Sequence, residues 1–465
     1  MMESNSQFIN EAEVFSILEK NKNPEPQKVK DVLSKAAEMK GLDLADVAVL
    51  TGISDPLQLY SLFETANKIK ETIYGKRLVL FAPLYISNLC TNECTYCAFR
   101  AKNKDIVRRV LNQDEIKHET KALVSQGHKR VLLVAGESYP GQGFQYVLDA
   151  IASVYEVKAG KGEIRRVNVN IAPLPTDEFR ELKAAKIGTY QIFQETYHRE
   201  TYSKVHLAGK KRNYGWRVSS LHRAMEAGID DVGIGVLFGL FDYRFEILAM
   251  MQHIHELERV FGVGPHTISV PRLEPATGSE IASHPPFAVS DPDFRKIVAI
   301  LRLAVPYTGI IMSTREAAQM RRDTFALGVS QISAGSRTNP GGYDTGGVED
   351  DSSQFCLGDH RPLDEVVRDV ASMGYIPSFC TGCYRLGRTG TDFMDMAKPG
   401  DIKTHCNPNA VSTFMEYLMD YASPETRQVG EELIEKAIAS MEGIAQQRAV
   451  SLVGKVKQGK HDVYC

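Results

Sequence analysis

A chain of 465 residues is longer than a single hydrophobic core usually supports, so more than one core is expected. Hydrophobic residues make up 43% and charged residues 24%, with a formal charge of −3, which gives no ground for a nucleic-acid or membrane partner. The start, "MMESNSQFINEAEVF", lacks the basic residues and apolar run of a secretory signal, and six of the eight cysteines fall in two tight clusters. A cytoplasmic metalloprotein is expected rather than a disulfide scaffold.

Residues 1–75 read as a helical extension: "EAEVFSILEKNK" and "PEPQKVKDVLSKAAEMK" repeat apolar residues every three or four positions. From residue 78 short apolar runs alternate with helical stretches. Eight such runs cover 79–88, 129–136, 166–173, 188–196, 231–239, 266–273, 307–314 and 329–336. Strand alternating with helix implies parallel pairing through right-handed crossovers. The fold class is therefore α/β, a (β/α)8 TIM-type barrel over 76–360, with a six-unit partial barrel as the alternative. Residues 361–465 form a third unit, rich in cysteine and glycine and then helical.

After the first run comes "ISNLCTNECTYCAFR", in which Cys90, Cys94 and Cys97 are spaced C-x3-C-x2-C and Tyr96 precedes the last cysteine. In a barrel this loop lies on the catalytic face. Three thiolates are one short of a structural zinc site, and no second pair lies nearby. They suit a 4Fe–4S cluster with one open iron. In this context the motif resembles that of the radical S-adenosylmethionine superfamily. The resemblance implies that the open iron binds the amino and carboxylate groups of S-adenosylmethionine, and that an electron from the cluster yields a 5′-deoxyadenosyl radical.

The same resemblance assigns further positions. Ala135-Gly136-Glu137 stands where the family has a Gly-Gly-Glu-like turn, departing at the first position. Glu195 would reach an amine and Arg217 the carboxylate of S-adenosylmethionine, unless the two simply pair with each other. Asn170 would contact the ribose or cap a loop. Arg315, Arg322, Ser333 and Ser336, in "MSTREAAQMRRDT" and "SAGS", look like the carboxylate clamp of the aromatic amino-acid lyases; for Arg322 a surface ion pair is the alternative.

A second triplet, Cys380, Cys383 and Cys406, has C-x2-C-x22-C spacing. By spacing alone, zinc completed by His405 remains open. From about residue 75 to about 410 both motifs resemble the radical tyrosine lyases that mature (FeFe)-hydrogenase. That resemblance implies a second 4Fe–4S cluster leading to a labile fifth iron that carries a free cysteine. It also implies cleavage of L-tyrosine to p-cresol and dehydroglycine, and breakdown of the latter to carbon monoxide and cyanide captured on iron. A reductant protein of ferredoxin or flavodoxin type and the other hydrogenase maturation proteins would be partners. His266 is expected on the N-terminal face of the barrel, and the resemblance makes it a ligand of the fifth iron. The barrel would then act as a conduit between its two ends. The thiazole-pathway tyrosine lyase, a 2-iminoacetate synthase, and a non-catalytic iron–sulfur scaffold are the competing functions.

Overall fold

The computed structural model describes residues 7–344, 352–397 and 402–465. Four helices open the chain: Glu11–Lys20, Pro26–Ala37, Leu44–Thr51 and Pro56–Tyr74. Their starts follow from local chemistry. The Asn10, Asp43 and Asp55 side chains accept amide hydrogens of the first turns, and Asp43 forms a reciprocal capping box with Asp46. Pro56–Tyr74 stops at Gly75, whose φ of 61° combined with a ψ of −152° suits only a residue without Cβ. Its buried stripe, Leu62, Ala66, Ile69 and Ile73, recurs at helical spacing and packs on the barrel helix Asp291–Ala304. Leu62 is wholly buried, so truncation to alanine would cost about 2–5 kcal/mol.

Eight parallel strands form the barrel: β1 (Arg77–Ser87), β2 (Arg130–Ala135), β3 (Arg166–Asn170), β4 (Tyr190–Gln191), β5 (Val232–Gly235), β6 (Thr267–Ser269), β7 (Gly309–Met312) and β8 (Val329–Ser333). All eight lie within or against the runs read from the sequence. Closure is complete, because β8 pairs with β1 in the register Val79 to Gln331 and Phe81 to Ser333; the six-unit alternative is set aside. After Arg130, the "VLLVA" of β2 is apolar on both faces because helices cover one face and the barrel interior the other.

One strand was not expected. After the helix Leu363–Ser372, β9 (Ile376–Ser378) pairs in parallel with the first residues of β1, beside the barrel proper. It ties the C-terminal part to the N-terminal end of β1. Three residues containing a proline carry no periodic signal, yet β9 delivers Cys380 two residues later to the barrel's lower mouth. Cys406 arrives on the first turn of the helix Lys403–Asp420.

The interior differs from the usual filling of branched aliphatic side chains. Asn168, Gln191, Thr267, Ser269, Gln331 and Ser333 are all buried in the strands, and Thr267 Oγ1 has no hydrogen-bond partner among the described residues.

Candidate active site

At the C-terminal ends of the strands lies a cavity of about 1400 Å³ with its mouth included. That exceeds the space one small ligand needs. Cys90, Cys94 and Cys97 share its wall with Tyr96, Gly136, Glu137, Asn170, Glu195, Lys211, Arg217, Arg315 and Ser333. All three thiols are free. Burial pushes the Cys90 thiol up to about 11 and raises the Cys94 and Cys97 thiols as well.

The loop is fixed from outside. Cys94 forms an isolated antiparallel bridge with His206, Glu93 N donates to Ala208 O at 3.0 Å and Thr95 N donates to Val205 O at 2.9 Å. His206 is fully buried, its Nδ1 lies 2.9 Å from the Tyr202 carbonyl and its Nε2 2.9 Å from the Tyr96 hydroxyl. A carbonyl only accepts, so Nδ1 carries the proton, and in the neutral ring Nε2 must accept from Tyr96. Burial, aided by Lys211 and Arg217, pushes the His206 pKa down and favours that neutral form.

Gly136 is required by packing. A Cβ there would stand 2.1 Å from the Leu89 carbonyl oxygen, so the glycine lets the β2 end pack against the cysteine loop itself. Beside it, Arg217 Nη1 donates to Glu137 Oε1 at 2.8 Å, and Nη2 lies 3.4 Å from Glu195 Oε1. Arg217 Nε donates to the Phe193 carbonyl at 2.7 Å. Lys211 Nζ donates to Glu195 Oε1 at 2.6 Å, and Asn92 Nδ2 to Glu137 Oε2 at 2.6 Å. Burial would raise the Glu137 carboxyl, but Arg217 and Lys211 outweigh it and hold it below its ordinary value. Glu195 sits at φ 71°, a strained left-handed conformation for a residue with a side chain. The expected pair of Glu195 and Arg217 is real, but it belongs to a wider network of two carboxylates and two cations on the cavity wall. Lys211 and Asn92 were missed in the sequence: "GKKR" reads as a solvated charge run.

The clamp residues divide. The Arg315 guanidinium stacks 3.3 Å from the Phe355 ring centroid, faces the cavity and has no carboxylate partner among the described residues. Ser333 lines the cavity and accepts the Thr314 amide hydrogen at 3.1 Å. Arg322 and Ser336 do not line it. Arg322 lies on the helix Ala318–Phe325 and bonds Asp369 at 2.8 Å, because that helix turns its side chain outward across the barrel surface. Ser336 lies past the end of β8, buried but outside the cavity.

A second cavity, about 700 Å³ with open space included, occupies the N-terminal end of the barrel. Cys380, Cys383, Cys406 and His266 line it, with Arg77, Arg130 and Arg388. His266 immediately precedes β6, and its Nδ1 is buried with no partner among the described residues. A hydrogen bond from Cys383 holds the Cys406 thiol below its ordinary value. His405 is not on this wall; its ring faces Arg448 Nη1 at 3.4 Å. His405 is therefore not placed to complete a Cys3His zinc site with this triplet. Nor do any three His, Cys, Asp or Glu side chains among the described residues lie close enough for one ion. A cubane spreads its three thiolates over three irons, so both triplets suit a cluster better than zinc.

The two cavities are neighbours. Val79 and Gln331 line the lower one, while Phe81 and Ser333, two residues further along the same paired strands, line the upper one. About 7 Å of strand separates them.

Comparison with known proteins agrees with this geometry. Residues 84–254 match the Radical SAM superfamily and residues 269–376 the Biotin and Thiamin Synthesis associated domain. A 2-iminoacetate synthase of Escherichia coli (strain K12) is 30% identical over 357 residues, 77% of this chain and 92% of its own length. A crystal structure of HydG, a maturase of the [FeFe]-hydrogenase, superposes with a TM-score of 0.95 at 44% identity, covering 98% of this chain and all of that one. The HydG of Carboxydothermus hydrogenoformans, also an FeFe-hydrogenase maturase, gives 0.85 at 40% identity over 98% and 99% of the two chains. No described helix is long and apolar enough to cross a membrane.

Proposed function

The chain belongs to the radical S-adenosylmethionine superfamily, among its tyrosine lyases, and from that membership we infer a hydrogenase maturase of the HydG kind. It cleaves L-tyrosine to p-cresol and dehydroglycine, and the latter gives the carbon monoxide and cyanide used to assemble the (FeFe)-hydrogenase active site. The observation that carries this reading is the pair of cysteine-lined cavities at opposite ends of one polar-lined barrel.

Cys90, Cys94 and Cys97 hold the 4Fe–4S cluster of the radical domain, at the wall where Glu137, Glu195, Arg217 and Asn170 hold S-adenosylmethionine. When bound, that pair supplies a one-electron cleavage of the sulfonium and hence the radical. The chain's own residues do the rest. Arg217 presents a fixed fork to a carboxylate, Glu137 and Glu195 offer acceptors to an ammonium, and Tyr96 pins the loop through His206. Arg315 meets the tyrosine carboxylate, with the Ser333 hydroxyl beside it. The buried cavity wall keeps bulk water from the reacting carbons.

For the lower site the same reading assigns a second 4Fe–4S cluster to Cys380, Cys383 and Cys406, with His266 toward a labile fifth iron that bears a free cysteine. The orphaned His266 Nδ1 supports it. Three units share the work: helices to about residue 75, the barrel to about 360, and the remainder as the second cluster's frame. A one-electron donor protein and the other maturation proteins are the partners, and the reducing cytoplasm is the compartment suited to eight free thiols. The 2-iminoacetate synthase alternative explains the upper cavity but gives the lower triplet no task, and an inert scaffold gives the upper network none.

The test is stoichiometric. Reduced, reconstituted protein given S-adenosylmethionine and L-tyrosine should release p-cresol and 5′-deoxyadenosine in equal amounts. Deoxyadenosine without cresol would remove tyrosine as the substrate.

A further inference from the structure

The first cysteine loop lies beneath a basic strip of surface. Leu207 is 51% exposed and directly follows His206, whose backbone pairs with Cys94. Its amide donates to the Glu93 carbonyl at 2.9 Å, so a single chain segment separates solvent from the cysteines. On one side, the Lys102 amide donates to Glu93 Oε2 at 2.8 Å, while Glu93 Oε1 is taken by Arg100 at 2.7 Å. That leaves the Lys102 ammonium exposed. On the other side, Gly209, at φ 83°, turns the chain tightly over Asn92, where a Cβ would stand 2.2 Å from Asn92 Oδ1. The turn sends Lys211 inward to Glu195 and leaves Lys210 and Arg212 exposed.

Lys102, Lys104, Lys210 and Arg212 make no ion pair among the described residues. The nearby acids are Asp105, which is exposed, Glu178, which is within electrostatic reach of Lys210 and has Asp177 and Glu181 beside it on the helix Thr176–Ala184, and Glu200, already paired with Lys204 at 2.6 Å. An exposed aliphatic side chain ringed by unpaired cations, one segment from a redox site, fits weak and rapid encounters that charge steers.

We propose that Lys102, Leu207, Lys210 and Arg212 form the docking surface for a small acidic electron-transfer protein that reduces the first cluster. This rests on the radical reading of that cluster. It adds the face by which the electron enters and the charge of the partner.

The experiment compares two reductants in the reconstituted enzyme, reading p-cresol. One is dithionite, which needs no docking; the other is an acidic flavodoxin reduced by its NADPH-linked reductase. Changing Lys102→Glu, Lys210→Glu and Arg212→Glu together should cut the flavodoxin-driven rate at low salt by about tenfold or more. The dithionite rate should stay within about twofold, as should both rates in a control carrying Lys20→Glu, Lys455→Glu and Lys457→Glu. An unchanged flavodoxin rate overturns the proposal, and so does an equal fall with both reductants. Absence of cresol from the wild type with dithionite would instead sink the tyrosine reading.

Discussion

Arg217 binds Glu137 through a 2.8 Å bond from one terminal nitrogen and approaches Glu195 to 3.4 Å with the other, placing one cation between two carboxylates at the ends of different strands. Replacing it with methionine would leave both acids facing a buried cavity without that charge, at a cost of about 3–5 kcal/mol. Arg217→Lys keeps the charge but loses the planar fork. We expect it to fold and to retain iron at the Cys90 loop, yet to bind S-adenosylmethionine at least about tenfold more weakly in equilibrium dialysis.

The contact of Gly136 with Leu89 predicts a selective defect. Gly136→Ala drives a methyl group into the Leu89 carbonyl and displaces the cysteine loop. Iron and the spectroscopic signal of the first cluster should fall, while the signal from the Cys380 triplet stays. Equal loss of both would point to general misfolding instead.

Arg315 and Arg322 separate substrate binding from surface pairing. Arg315→Met should raise the KM for tyrosine by about tenfold or more, through loss of a charge-assisted bond. Arg322→Ala should leave that KM unchanged and cost at most about 1 kcal/mol of stability, because its ion pair with Asp369 is partly exposed.

Glu246 makes stability depend on pH. Burial raises its carboxyl to about 8, although the Thr196 hydroxyl and the Tyr197 amide both donate to it. The folded state therefore holds a proton that the unfolded chain, near pH 4.5, has released. Between those values the group's contribution falls as pH rises, by up to about 1.4 kcal/mol per pH unit. Glu246→Gln removes the titration, so the mutant's Tm advantage should widen from pH 5 to pH 8. A gap independent of pH would contradict this.

Much of the architecture was legible because period and chemistry agreed locally. After its first two residues the run "KRVLLVAG" is apolar on both faces, and strands read this way recur with helices between them. "GTYQIFQET" was legible as a run but yields only Tyr190–Gln191 as regular strand, although its backbone goes on bonding to β5 and beyond, through Gln194 N to the Gly235 carbonyl and an isolated bridge of Glu195 with Val236. The β9 strand was illegible because pairing with β1, not its own pattern, makes it a strand. Within the site, the three cysteines and Glu137 stand in a recognisable motif, whereas Lys211 and Asn92 depend on a turn at Gly209 that only tertiary packing shows. Arg315 and Arg322 look alike in sequence; their difference is the direction in which a strand end and a helix point.

The central claim is that the two cavities divide the labour, and one substitution tests it most directly. Wild-type protein and Cys383→Ala are reconstituted side by side, given dithionite, S-adenosylmethionine and tyrosine, and assayed for p-cresol and for carbon monoxide trapped on haemoglobin. The account predicts cresol from both, with carbon monoxide sharply reduced in the mutant. Equal carbon monoxide from the two proteins, or cresol lost together with it, would contradict a lower site that acts after the upper one.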